Sequence, residues 1–155
     1  MIIIGIDPGI AKTGYGIIER KKETIECLGF GAITTSADLG AEQRLEQIFK
    51  ELSEIIKQYK PDIMGIEKLF FFKNMKTALP VSEAKGVIML LGAKEKLTIY
   101  QLTPLQVKMG ICGYGRAEKQ QVQRMIKEIL HLEKIPKPNH AADALGVAIC
   151  CSRYC

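Results

Sequence analysis

The chain has 155 residues and a mass of 17.2 kDa, a length that suits one domain (1–155) able to bury a core without disulfide or metal staples. Hydrophobic residues make up 47% and charged residues 25%, which excludes a disordered or collagen-like chain, and the longest apolar run, between Lys85 and Lys94, is too short for a membrane span. The net charge of +5 hides an asymmetry: residues 1–67 carry 8 basic and 11 acidic side chains, whereas residues 68–137 carry 13 and 5, the footprint of a polyanionic partner.

In chain order, Ile2–Ile6 reads as a buried strand stopped by Asp7-Pro8-Gly9. The run is too short for a signal-peptide core and Asp7 interrupts it, so a cytoplasmic location is expected. Gly14–Glu19 and Thr24–Ile33 read as strands joined by a charged hairpin over 19–23. Leu45, Ile48, Phe49, Leu52, Ile55, Ile56 and Tyr59 recur at helical spacing and predict an amphipathic helix over 39–59. Over 62–68, Ile63, Gly65 and Glu67 alternate with Met64, Ile66 and Lys68, as in a strand. An aromatic loop follows, then a helix over 75–95 with Pro80 near its start, then a strand over Thr98–Leu102. Thr103-Pro104 opens a short helix, and three glycines within 110–115 predict a loop over that stretch. Lys119–Leu130 is helical, and Asn139 is expected to cap a last apolar helix to about Cys151. Met75, Met89, Met109 and Met125 read as core residues and His131 as a surface residue. The five cysteines (27, 112, 150, 151 and 155) lack Cys-x-x-Cys spacing, which suggests reduced thiols and no zinc site. Three strands followed by alternating helix and strand describe an α/β domain with a mixed sheet flanked by helices.

Three carboxylates stand out. Asp7 ends the first strand, where open α/β sheets place their sites. Glu67 ends the apolar strand Ile63–Ile66, an expensive place for an unpaired carboxylate. His140 and Asp143 are three apart at the start of an otherwise small and apolar helix, so they share one face. Taken singly, each has a plainer reading: a turn, a surface strand end, an acid complementing a helix dipole. Together they form an oxygen-rich set of the kind that hard cations require in two-metal phosphoryl-transfer sites.

With these residues go Ile4-Gly5-Ile6-Asp7-Pro8-Gly9, Thr13-Gly14-Tyr15-Gly16, Ile66-Glu67 with Phe70 and Lys73-Asn74, Ala84-Lys85-Gly86-Val87, Gln106-Val107-Lys108, Gly113-Tyr114-Gly115, Ala117 to Gln123, and His140-Ala141-Ala142-Asp143-Ala144-Leu145. The ordered set, over essentially the whole chain, resembles the RuvC family of bacterial Holliday-junction resolvases, within the ribonuclease-H-like superfamily. The resemblance implies a sheet of three antiparallel strands followed by parallel ones, and a homodimer that resolves four-way DNA junctions by paired symmetric nicks. The implied products carry 5′-phosphate and 3′-hydroxyl ends.

It further implies Asp7, Glu67 and Asp143 as catalytic metal ligands, with Mg²⁺ at two ions per site and Mn²⁺ as a substitute. His140 stands at the fourth position, where many relatives carry aspartate. Imidazole suits Mn²⁺ better than Mg²⁺ and can also move a proton. Phe70 is implied as a wedge stacking on unpaired bases at the crossover, and Lys108 and Lys119 as contacts near the scissile phosphate. The charge asymmetry adds Lys73 and Arg116 as DNA contacts. The RuvA–RuvB branch-migration complex is the implied protein partner. Alternatives are an actin-like sugar kinase, which needs two domains, a nuclease acting on RNA–DNA hybrids or ribosomal RNA precursors, and a catalytically silent junction binder.

Overall fold

The computed structural model describes residues 1–68 and 75–154. Strands β1 (Ile2–Asp7), β2 (Lys12–Lys21) and β3 (Thr24–Thr34) come first, followed by helix α1 (Ala41–Tyr59), β4 (Ile63–Glu67) and α2 (Met75–Lys94). Next come β5 (Thr98–Leu102), α3 (Pro104–Cys112), α4 (Lys119–Ile129) and α5 (Asn139–Cys151). The sheet order is β3-β2-β1-β4-β5. The first three strands pair antiparallel, whereas β4 runs parallel to both β1 and β5. This is the mixed ribonuclease-H-like arrangement the sequence led us to expect.

Side-chain alternation along β1 and β4 divides the core into two layers. Ile4, Ile6, Met64 and Ile66 point to one face and pack with Ile48, Leu52 and Ile56 of α1 and Ile88 and Leu91 of α2. Ile3 and Ile63 point to the other face and pack with α3, α4 and α5. Ile4, Ile6, Ile48, Leu52 and Ile88 are fully buried, each side chain gaining about 1.5–3 kcal/mol by transfer from water before its loss of conformational entropy.

Helix α5 lies directly on the sheet because the strands offer glycine beneath it. A Cβ on Gly5 would stand 2.0 Å from the Ala144 carbonyl oxygen, and one on Gly14 would stand 2.0 Å from that of His140. Only a missing side chain permits this approach. It brings the first turn of α5 onto the ends of β1 and β4.

Several local expectations need correction. Helix α3 continues through Gly110 to Cys112, and the loop begins only at Gly113. A side chain is excluded at Gly110, because a Cβ there would stand 2.5 Å from the Cys150 sulfur. Asn139 is the first residue of α5 rather than its cap, which is Pro138; the Asn139 Oδ1 accepts from Gln123 Nε2 at 3.1 Å. The charged connection is shorter than 19–23, since Glu19, Arg20 and Lys21 stay in β2 and pair with Glu26, Ile25 and Thr24. Met109 and Met125 are exposed (49% and 37%) rather than core, because α3 and α4 turn those positions away from α5. Met89 does pack at the edge of the core, and His131 is exposed in the turn after α4, with φ 51°. Pro80 sits in the second turn of α2, where it gives up one helical hydrogen bond. Among the described residues no helix is long and apolar enough to cross a membrane.

Candidate active site

Asp7 and Glu67 are the last residues of the adjacent parallel strands β1 and β4, whose register sets Ile6 beside Ile66. The same alternation that sends Ile6 and Ile66 to the α1–α2 face sends both carboxylates to the α5 face. There α5 supplies His140 and Asp143 from its first turn and a half.

The contacts are specific. His140 Nδ1 lies 2.7 Å from Asp7 Oδ2, and Lys119 Nζ, from the first residue of α4, donates to Asp143 Oδ2 at 3.2 Å. The β1–β2 turn that carries Asp7 is held by the buried Thr13 hydroxyl, which donates to the Gly9 carbonyl at 2.6 Å. Glu67, Lys108, Lys119 and Asp143 line a pocket of about 220 Å³ whose apolar walls include Pro104 and Val122.

Electrostatics mark the site as anion-crowded. Burial above all, and then the charges of Asp7 and Asp143, push the Glu67 carboxyl up to about 8, against a small opposing pull from Lys119. Burial likewise raises Asp7, opposed by the His140 hydrogen bond and reinforced by Asp143. Carboxyls held this close and this dry compete for one proton, a tension that a divalent cation relieves. The donor chemistry therefore suits a hard cation. Among the described residues no three such side chains are grouped to hold an ion; Asp7 contacts His140 and Asp143 contacts Lys119.

The structure thus brings together Asp7, Glu67, His140, Asp143, Lys108 and Lys119. Arg116 is exposed on the α3–α4 connection and makes no ion pair among the described residues. Phe70 and Lys73 lie outside the described residues. A second groove, of about 480 Å³, opens on the other side of His140 between Pro8, Ile10, Lys12, Lys76 and Pro80. Sequence reasoning did not anticipate it, because Lys12 and Lys76 meet only through packing of α2 against the β1–β2 turn. The excess of cations after residue 67 was the one available signal.

Comparison with known proteins places the whole chain. The family model described as "Crossover junction endodeoxyribonuclease RuvC" matches residues 3–151. A crossover junction endodeoxyribonuclease RuvC from Natranaerobius thermophilus is 54% identical over 153 residues, covering 99% of this chain and 95% of that protein. The Thermus thermophilus RuvC structure superposes with a TM-score of 0.91 at 31% identity, covering 99% of this chain and 95% of that one. T. thermophilus RuvC in complex with Holliday junction substrate gives a TM-score of 0.91 at 28% identity, covering 99% and 94%.

Proposed function

This chain belongs to the RuvC family of crossover junction endodeoxyribonucleases, and on that footing we propose that it resolves four-way DNA junctions at the Asp7–Glu67–Asp143 site, acting as a homodimer with Mg²⁺. The observation that carries the reading is the convergence of three carboxylates from β1, β4 and α5 beside Lys119.

RuvC nucleases are metal-dependent hydrolases of phosphodiester bonds. When bound, divalent cations, proposed here as two Mg²⁺ with Mn²⁺ as a substitute, supply the Lewis acidity that activates water and steadies the leaving 3′ oxygen. Asp7, Glu67 and Asp143 would hold them. Lys119 would exchange its contact with Asp143 for a phosphate oxygen, and Lys108 would bind the neighbouring phosphate from α3. His140 orients Asp7 through Nδ1, which leaves Nε2 as the nitrogen that can take a proton or a ligand. Phe70 is proposed as the wedge at the crossover, with Lys73 and Arg116 as further backbone contacts.

Dimerisation is supported by the outward side of α2. Ala84 faces the core, but Leu79 and Leu90 are exposed (60% and 58%), and Gly86 between them has open space where a Cβ would point. A second copy of α2 would cover this stripe and present two sites to a junction that is itself nearly two-fold. A single nuclease domain over 1–155, a cytoplasmic location and cooperation with the RuvA–RuvB complex belong to the same proposal.

The test is incubation of the purified protein with a mobile synthetic four-way junction and Mg²⁺, beside linear duplex and RNA–DNA hybrid. Paired symmetric nicks that ligase can seal are expected on the junction alone. Cutting of the hybrid in preference to the junction would overturn the reading.

A further inference from the structure

We propose that Tyr114 stacks on the base of a nucleotide flanking the scissile phosphate and so positions the cut strand, an inference that rests on the carboxylate site described above. Helix α3 ends at Gly113, whose φ of 82° turns the chain out of the helix; a side chain there would be strained. Tyr114 follows at once. It therefore sits on the connection between α3 and α4, the two helices that bring Lys108 and Lys119 to the pocket.

Its ring is 45% exposed, yet its position is held: the Tyr114 hydroxyl donates to Gln121 Oε1, on α4 two residues beyond Lys119. Tyr100 and Tyr154 stack on each other, but Tyr114 has no ring partner among the described residues. Beside it, Leu105 and Met109 are 58% and 49% exposed, and Gly115 sits close against both. Cations flank this apolar patch in the chain, and the exposed Glu118 before α4 is the first acid after it. From Pro104 to Ala117 the chain carries Lys108 and Arg116 and no acidic residue, and neither cation has a carboxylate partner among the described residues.

An exposed aromatic ring and apolar patch bordered by two cations, on the connection between the helices that carry Lys108 and Lys119, fits an unstacked nucleotide, which offers an aromatic face and a phosphate together. A protein partner fits less well, because one would need to bring acidic groups to both Lys108 and Arg116. The hydroxyl's bond to Gln121 sets the ring's edge, so stacking requires little ordering when DNA arrives.

The experiment uses single-turnover cleavage and a binding signal. Tyr114→Ala should cut a four-way junction roughly tenfold more slowly than wild type, and Tyr114→Phe, which keeps the ring, within about twofold. Removing the base on one side of the scissile phosphate should slow wild type by a similar factor and add little to Tyr114→Ala. With Ca²⁺ in place of Mg²⁺, 2-aminopurine at that position should be quenched by wild type and Tyr114→Phe but not by Tyr114→Ala. Unchanged cutting and quenching in Tyr114→Ala overturn the proposal. Additive effects of the abasic site and the mutation overturn it too. A wild type that cuts no junction brings down the site assignment itself, whereas a wild type that cuts as expected beside an unaffected Tyr114→Ala brings down the tyrosine alone.

Discussion

His140 Nδ1 and Asp7 Oδ2 stand 2.7 Å apart across 133 residues of chain, tying the first turn of α5 to the end of β1. The pair fixes one oxygen of Asp7 and lowers its proton affinity against the burial that raises it. It also gives His140 a definite place in the site.

Asp7→Asn should leave junction binding within a few-fold of wild type while reducing cleavage by at least about a thousandfold, since the amide keeps the shape and loses the charge that holds a cation. Gel-shift titration and single-turnover cleavage check both halves. Cleavage near the wild-type rate would remove Asp7 from the site.

His140→Ala should slow cleavage by about a hundredfold, the scale of a lost ligand-orienting or proton-transfer group. His140→Asp should recover most of that rate with Mg²⁺, because it supplies a harder oxygen donor. A normal rate for His140→Ala would reduce the residue to a helix-start contact.

Glu67 makes the metal-free protein pH-sensitive. Its carboxyl is raised from 4.5 to about 8 in the fold, so the unfolded chain gives up its proton first. The stability this group contributes is complete below about pH 4.5 and is lost as pH rises through about 8. Asp7, also raised, acts in the same direction. In EDTA the melting temperature should therefore fall between pH 5 and 8.5, and Glu67→Gln should flatten that fall. Equal slopes for the two proteins would contradict the burial argument.

Two glycines should behave oppositely. Gly5→Ala drives a methyl into the Ala144 carbonyl, 2.0 Å from its Cβ position, and should destabilise the fold by about 3 kcal/mol while weakening cleavage. Gly86→Ala meets nothing within 4 Å and should stabilise the monomer by about 0.5–1 kcal/mol through helix propensity. Urea denaturation of the two variants checks the contrast.

Leu90→Glu places a charge on the outward stripe of α2, where Leu90 is 58% exposed. It should leave the monomer's melting temperature nearly unchanged, convert dimer to monomer in sedimentation, and abolish paired nicking. A variant that still sediments as wild type would place the interface elsewhere.

Local periodicity made much of this legible. Strict alternation in Ile63–Lys68 set Glu67 on one side and Met64 and Ile66 on the other, and the β1 turn at Asp7-Pro8-Gly9 marked where a second carboxylate would end its strand. The three- and four-residue spacing of α1 and the glycine- and proline-marked breaks determined the order of elements. An arithmetic of charge pointed to the basic middle of the chain.

Pair distances needed the packed molecule. That Lys119 reaches Asp143, that His140 meets Asp7, and that both do so because Gly5 and Gly14 let α5 settle onto the sheet are results of backbone approach between distant segments. No periodicity within a single element encodes such an approach. The same limit explains Gly110, read as a loop residue but lying within α3 where a Cβ would strike the Cys150 sulfur, and Met109 and Met125, whose faces could be assigned only once α3 and α4 had docked. Sequence determines which side of an element a residue takes; the close packing of one element on another decides what that side meets.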